Sequence, residues 1–236
     1  TSEFPLLFSF HGGSGYADNF IYTNDMRPIA DTANFIAIYP QGAIDPDGGT
    51  TSWIHKAPTD HDDIFFIEAI INSLNENYLI DQSRIYACGY SNGGMMSYFL
   101  GKSISNKIAA IGSVSGTMLE GNPDPANPVP MINIHGTSDL VVPYLGNSDY
   151  PAISTVLTYW ANHNGANSTP VTTSLTSGVT SVEKSVYSDS SGTGWVEHYK
   201  VNAGGHDWFN LDLSGSDTNQ LIWNFFSKYD INGLVE

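Results

Sequence analysis

Apolar residues in this chain come in short solid runs, and between several of those runs they recur at helical spacing. Leu6-Leu7-Phe8-Ser9-Phe10 and Phe35-Ile36-Ala37-Ile38-Tyr39 read as strands, the second closed by Pro40. Residues 84–88, 108–114 and 131–134 read the same way. Residues 182–187 and 195–201 read as a strand pair around the turn Ser190-Ser191-Gly192-Thr193-Gly194. A helical pattern covers 19–33, strained by Pro28. Ile64, Ile67, Ile71, Leu74 and Tyr78 lie at the spacing of one helix face, with Asp62 or Asp63 placed to cap it. Residues 94–100, 150–163 and 217–229 complete the helices, and 41–59 and 121–130 read as loops rich in Gly, Asp or Pro. Strands alternating with helices predict an α/β fold, a mostly parallel central sheet with helices on both faces in a three-layer sandwich. No repeat, linker or second domain is visible, so one domain over residues 1–236 is expected.

One junction of strand and helix carries chemistry. Gly89-Tyr90-Ser91-Asn92-Gly93 stands where Arg84-Ile85-Tyr86-Ala87-Cys88 gives way to the helix-compatible Gly94-Met95-Met96-Ser97-Tyr98-Phe99-Leu100. Gly-x-Ser-x-Gly in that setting is a nucleophile elbow, a turn so tight that the serine is strained and its neighbours tolerate little side chain. A serine hydroxyl hardly ionises at neutral pH, so it needs a base within reach and an acid to orient that base. In an α/β-hydrolase the order is serine, acid, histidine. Asp139 lies in His135-Gly136-Thr137-Ser138-Asp139, just past the strand at 131–134, where such a sheet presents its chemistry. It is preferred on that ground to Asp149, Asp189 and Asp207. His206 follows the strand at 195–201, in the Gly-rich Asn202-Ala203-Gly204-Gly205-His206-Asp207-Trp208. His11 and His135, beside glycines at strand ends, are expected to fix loops by hydrogen bonds. His55, His61, His163 and His198 lack the late Gly-rich setting.

The first strand runs into His11-Gly12-Gly13-Ser14-Gly15, similar to the His-Gly-Gly loop whose backbone N–H groups complete an oxyanion hole. The backbone N–H groups of Asn92 and Gly13 are the expected donors. Trp53, in a loop, and Trp208, two residues past His206, belong either to the core or to the wall of an acyl or sugar subsite. Ser14 is a third candidate for substrate contact.

Composition narrows the partners. With 41% hydrophobic residues the chain can bury a substantial core, and no apolar run reaches the ~18 residues that signal a membrane span. Eight basic residues against 24 acidic ones give a formal net charge of −16. That argues against nucleic acid and anionic membrane surfaces and favours neutral substrates. Cys88 is the single cysteine, so no internal disulfide can form, and its place before Gly89 reads as a buried structural thiol. Asp45-Pro46-Asp47-Gly48-Gly49 lacks the ligand spacing of an EF-hand, and the acids of Asp60-His61-Asp62-Asp63 read as helix caps, so no metal is expected. The chain opens on Thr1-Ser2-Glu3-Phe4-Pro5 without a signal peptide; richness in Asn, Ser, Thr and Gly with few basic residues suits a mature or trimmed secreted protein, extracellular or periplasmic.

Taken together, His11-Gly12-Gly13-Ser14, Tyr39-Pro40-Gln41-Gly42, Trp53, Asp62-Asp63, the segment 86–96, His135-Gly136-Thr137-Ser138-Asp139 and Gly204-Gly205-His206-Asp207-Trp208 resemble a known group. It is that of the polyhydroxybutyrate depolymerase-like esterases, related to the feruloyl and acetyl-xylan esterases of carbohydrate esterase family one. The resemblance spans nearly the whole chain. It implies a secreted α/β-hydrolase acting on esters, with Ser91, Asp139 and His206 as triad and no cofactor. Two departures bear on substrate identity: Asp207 stands where the group usually carries Thr or Ser, and Cys88 is alone where members often carry several cysteines. The leading expectation is a serine carboxylesterase on acetyl or feruloyl esters of plant polysaccharide, or on short-chain esters. The alternatives are a polyester depolymerase, an amidase or peptidase on the same triad, and a non-catalytic binding protein on this scaffold.

Overall fold

Alternate residues of the central strands enter opposite faces of one eight-stranded sheet, which is why those strands are apolar without a break. The elements, in a computed structural model that describes residues 3–45, 48–53, 63–119, 121 and 124–235, run in the following order. β1 (Phe4–Phe10), α1 (Ala17–Thr23), α2 (Arg27–Ala33) and β2 (Ile36–Ile38) open the chain. α3 (Asp63–Asn77), β3 (Ile80–Tyr90), α4 (Asn92–Ser103), β4 (Ala110–Val114) and β5 (Met131–Gly136) follow. Then come α5 (Ile153–His163), β6 (Val171–Ser177), β7 (Thr180–Ser188), β8 (Gly194–Val201), α6 (Thr218–Phe226), β9 (Tyr229–Asp230) and β10 (Gly233–Leu234). The sheet order is β2-β1-β3-β4-β5-β8-β7-β6. Strands β2 through β8 in that order are parallel, and β7 and β6 continue the sheet antiparallel.

Each face has its own apolar layer. Leu6, Phe8 and Phe10 of β1 and Ile85 and Ala87 of β3 join Ile67 and Ile71 of α3, Leu100 of α4 and Trp160 of α5. Leu7, Tyr86, Cys88 and Ile132 point the other way and join Phe20 of α1 with Ile222, Trp223 and Phe226 of α6. The mostly parallel sheet with helices on both faces is thus the arrangement found. No described helix is long and apolar enough to cross a membrane.

The differences from the sequence pattern have local causes. The helix expected over 19–33 is two helices, because Asn24 is buried against Ser9 and Pro28 sits in the first turn of α2, where a missing N–H costs nothing. α5 starts at Ile153 rather than 150: Pro151 biases Tyr150 away from helical backbone, and Ala152 caps in extended geometry. β6 was not expected at all. Its sequence Val-Thr-Thr-Ser-Leu-Thr-Ser is mostly exposed at a sheet edge, so it is held by pairing to β7 and leaves no apolar period to read. Asp62, one of the two expected helix caps, the histidines 55 and 61 and the Pro46-Asp47 step lie outside the described residues.

Candidate active site

Loops following β1, β3, β5 and β8 meet at the carboxyl ends of the parallel strands. The sharpest of these turns is at Ser91, which caps α4 at φ 52° and ψ −117°, a left-handed geometry costing about 1–3 kcal/mol in a residue other than glycine. Two glycines make the turn feasible. A Cβ on Gly93 would lie 2.1 Å from the Phe10 carbonyl oxygen, and one on Gly89 would lie 2.4 Å from the Gly93 backbone. The strain is held in place from β4, whose Val114 carbonyl accepts the Ser91 N–H at 2.8 Å.

The Ser91 hydroxyl, an imidazole and a carboxylate stand in one line. Ser91 Oγ is 2.9 Å from His206 Nε2, and His206 Nδ1 is 2.8 Å from Asp139 Oδ2. Asp139 is buried, and its Oδ1 accepts the Val141 and Val142 N–H groups at 2.8 and 2.9 Å. A second imidazole, His135 Nε2, lies 3.3 Å from Asp139 Oδ2 while also 2.8 Å from the Val142 carbonyl. Burial pushes the Asp139 carboxyl up, but the hydrogen bonds from His135, His206 and the two backbone amides outweigh it and hold the group well below the usual carboxylate range. An ionised Asp139 accepts from His206 Nδ1–H, which leaves Nε2 as the lone pair facing the serine hydroxyl.

The expected oxyanion donors lie beside Ser91 on the same cleft. Among the described residues the backbone N–H groups of Gly13 and Asn92 donate to no protein acceptor, and Gly13 packs close to Asn92. The Gly13 loop is braced by Ser14 N–H to the Thr51 carbonyl at 2.7 Å and by His11, whose Nε2 accepts the Gly42 N–H at 3.0 Å. The Asn92 side chain faces away from the cleft, its Oδ1 accepting the Trp53 N–H at 2.8 Å. A cleft of about 420 Å³ opens over Ser91 and is lined by Gly12, Gly13, Ser14, Asn92, Met95, Val141, Val142 and Tyr150. A larger depression of about 700 Å³, lined by Val179, Asn202 and Phe209 among others, lies behind the His206 loop and does not include Ser91. Ser91 and His206 both line the smaller one.

The sequence-predicted residues therefore divide. Ser91, Asp139 and His206 come together, Asn92 and Gly13 present free N–H groups beside them, and Ser14 lines the cleft. Trp53 and Trp208 do not line it. Trp53 is 1% exposed, edge-on to Phe10 with its Nε1 on the His11 carbonyl at 3.0 Å, and Trp208 is 8% exposed and edge-on to Phe20. Both serve the core beneath the site. His11 and His135 fix loops as expected, and His198 is buried mid-strand against Tyr144 at 2.9 Å. Cys88 is buried, and burial pushes its thiol up to about 12, an unreactive state. Sequence reasoning missed Val141, Val142 and Tyr150 in the wall, and His135 as a second contact of the acid.

Comparison with known proteins agrees with this architecture. Residues 59–175 match the Phospholipase/Carboxylesterase family model. Over 98% of its length the chain is 28% identical to a protein of Neocallimastix patriciarum named a bifunctional acetylxylan esterase/xylanase, of which it spans only 32%. It is 27% identical to a probable feruloyl esterase C of Aspergillus niger, over 95% of this chain and 78% of that one. In fold it is similar to an acetyl xylan esterase from Aspergillus awamori (TM-score 0.70, 15% identity, 96% and 90% of the two chains). It is also similar to a ferulic acid esterase from Anaeromyces mucronatus (TM-score 0.54, 14% identity, 97% and 79% of the two chains). In fold and order of elements the chain is thus similar to esterases, and its mostly parallel sheet with helices on both faces is an α/β-hydrolase-like architecture.

Proposed function

We propose that this chain hydrolyses acetyl or feruloyl esters of plant polysaccharide through an acyl-enzyme on Ser91, with His206 as base and Asp139 as its orienting acid. The observation that carries the reading is the hydrogen-bonded line from Ser91 Oγ to His206 Nε2 at 2.9 Å and from His206 Nδ1 to Asp139 at 2.8 Å. His206 takes the hydroxyl proton as Oγ attacks the ester carbonyl, and the Asn92 and Gly13 N–H groups bind the oxyanion, each worth about 3 kcal/mol of barrier. His206 then returns the proton to the leaving alcohol, and water repeats the sequence to free the acid. The substrate class rests on the relatives named for acetylxylan and feruloyl esters and on a cleft lined by both polar residues and the apolar Met95, Val141 and Val142. In this reading residues 1–236 form one secreted catalytic unit that works without cofactor, metal, nucleic acid or membrane.

A second reading has one observation in its favour. Leu140, Val141 and Leu145 are 92%, 58% and 85% exposed on the loop after Asp139, an apolar rim suited to a water-insoluble polyester. One assay separates the readings: p-nitrophenyl acetate, a feruloyl ester, acetylated xylan and hydroxybutyrate oligomers, with Ser91→Ala alongside. Xylan or feruloyl turnover that falls by ~10⁴-fold or more in Ser91→Ala is expected. Preference for the hydroxybutyrate oligomers would replace the substrate assignment, and full activity in Ser91→Ala would remove the nucleophile.

A further inference from the structure

The end of β4 touches both halves of the site. The Val114 carbonyl accepts the Ser91 N–H at 2.8 Å, and Gly116 lies so close under the elbow that a Cβ there would be 2.6 Å from the Ser91 carbonyl oxygen. Between them stands Ser115, fully buried, at φ 53°, its N–H on the Ile134 carbonyl of β5 at 2.9 Å. Its hydroxyl donates to the Asp207 carbonyl at 2.7 Å and accepts the Asp207 N–H at 3.3 Å. That N–H belongs to the peptide linking His206 to Asp207. The carbonyl of the same peptide, His206 O, accepts the Tyr90 hydroxyl at 3.0 Å. The backbone carrying the imidazole is thus gripped from β3 through Tyr90 and from β4 through Ser115.

Backbone geometry alone gives no reason for a serine here. Glycine adopts positive φ without the steric cost, so what serine adds at 115 is the hydroxyl and its two bonds to Asp207. We propose that Ser115 is a positioning residue that sets the approach of His206 to Ser91, tying the base loop to the strand end that also holds the nucleophile's backbone. The inference rests on the reading of Ser91 and His206 as nucleophile and base. Ser115 touches neither substrate nor reacting atom, and it acts through the His206–Asp207 peptide.

Two substitutions separate positioning from fold maintenance. Ser115→Gly removes the hydroxyl and suits the backbone, whereas Ser115→Ala removes it and keeps the strain. With p-nitrophenyl acetate both are expected to lower kcat by about tenfold or more with KM within about twofold, because small misplacement of a catalytic group is costly. The melting temperature of Ser115→Gly is expected to stay close to the parent's. A readout that needs no turnover is the downfield proton resonance of His206 Nδ1–H, expected to broaden as the ring loses its fixed approach to Asp139. Parental kcat and an unchanged resonance in Ser115→Gly overturn the proposal. So does a rate loss confined to Ser115→Ala and proportional to its loss of folded protein. If the parent shows no hydrolysis dependent on Ser91, the esterase reading fails instead, and the resonance alone decides the role of Ser115.

Discussion

At the scale of single residues the Asp139 carboxylate organises the site. Its two oxygens take four donors, two imidazoles and two backbone amides, and these keep it ionised against its burial. The sign is that of a depressed acid: the stabilisation is present above the unfolded carboxyl's pKa and is lost only as pH falls toward the lower folded value. Asp139 therefore stays charged over the whole working range. Asp139→Asn keeps the shape but favours the wrong tautomer of His206, and kcat on p-nitrophenyl acetate is expected to fall by roughly 10⁴-fold at neutral pH. A loss under about tenfold would show that Asp139 does not orient the base.

At the scale of elements, the elbow works because β1, β3 and α4 approach one another more closely than side chains allow. Gly93 is the tightest point, with its missing Cβ placed 2.1 Å from the Phe10 carbonyl. Gly93→Ala must push α4 away from β1, which separates the Asn92 N–H from the Gly13 loop. The expected outcome is a fall in stability of about 2 kcal/mol or more, in the range of overpacked cores, with ester hydrolysis falling as well. Urea unfolding and the p-nitrophenyl acetate rate measure the two effects. A Gly93→Ala protein with parental stability and rate would refute this account of the motif. The same elements show what was legible beforehand. The strands at 6–10, 84–88 and 131–134 announce themselves by solid apolar runs because both faces of the sheet are covered. The edge strand β6 is silent because it is mostly exposed, with Leu175 alone packing against the core.

Across the whole molecule, stability should depend on acidity through histidines that have no role in the chemistry. His198 lies in β8 between Tyr144 and the Asn133 carbonyl, and burial pushes its pKa down to about 3 from an ordinary 6.5. The folded protein keeps it neutral while the unfolded chain takes up a proton. The unfolded state is therefore favoured progressively as pH falls from 6.5 towards 3, by about 1.4 kcal/mol per pH unit for this group. Unfolding free energies at pH 6 and pH 4 are expected to converge in His198→Gln relative to the parent. Equal slopes in the two proteins would show that His198 is charged in the fold.

The chain's own pattern determined the sheet, its parallel sense and the strand ends at which Ser91, Asp139 and His206 stand, because burial on both faces and the demands of a tight turn are written in local residue types. Tertiary structure alone decided which side chains the assembled core needs and which remain for the cleft. Trp53 and Trp208 are drawn inward because two large rings beside the site bury more apolar surface there than at its rim. Ser115 acquires its contact with Asp207 only when β4 and the loop after β8, 92 residues apart, are brought side by side. No local pattern encodes a contact that neither segment makes alone.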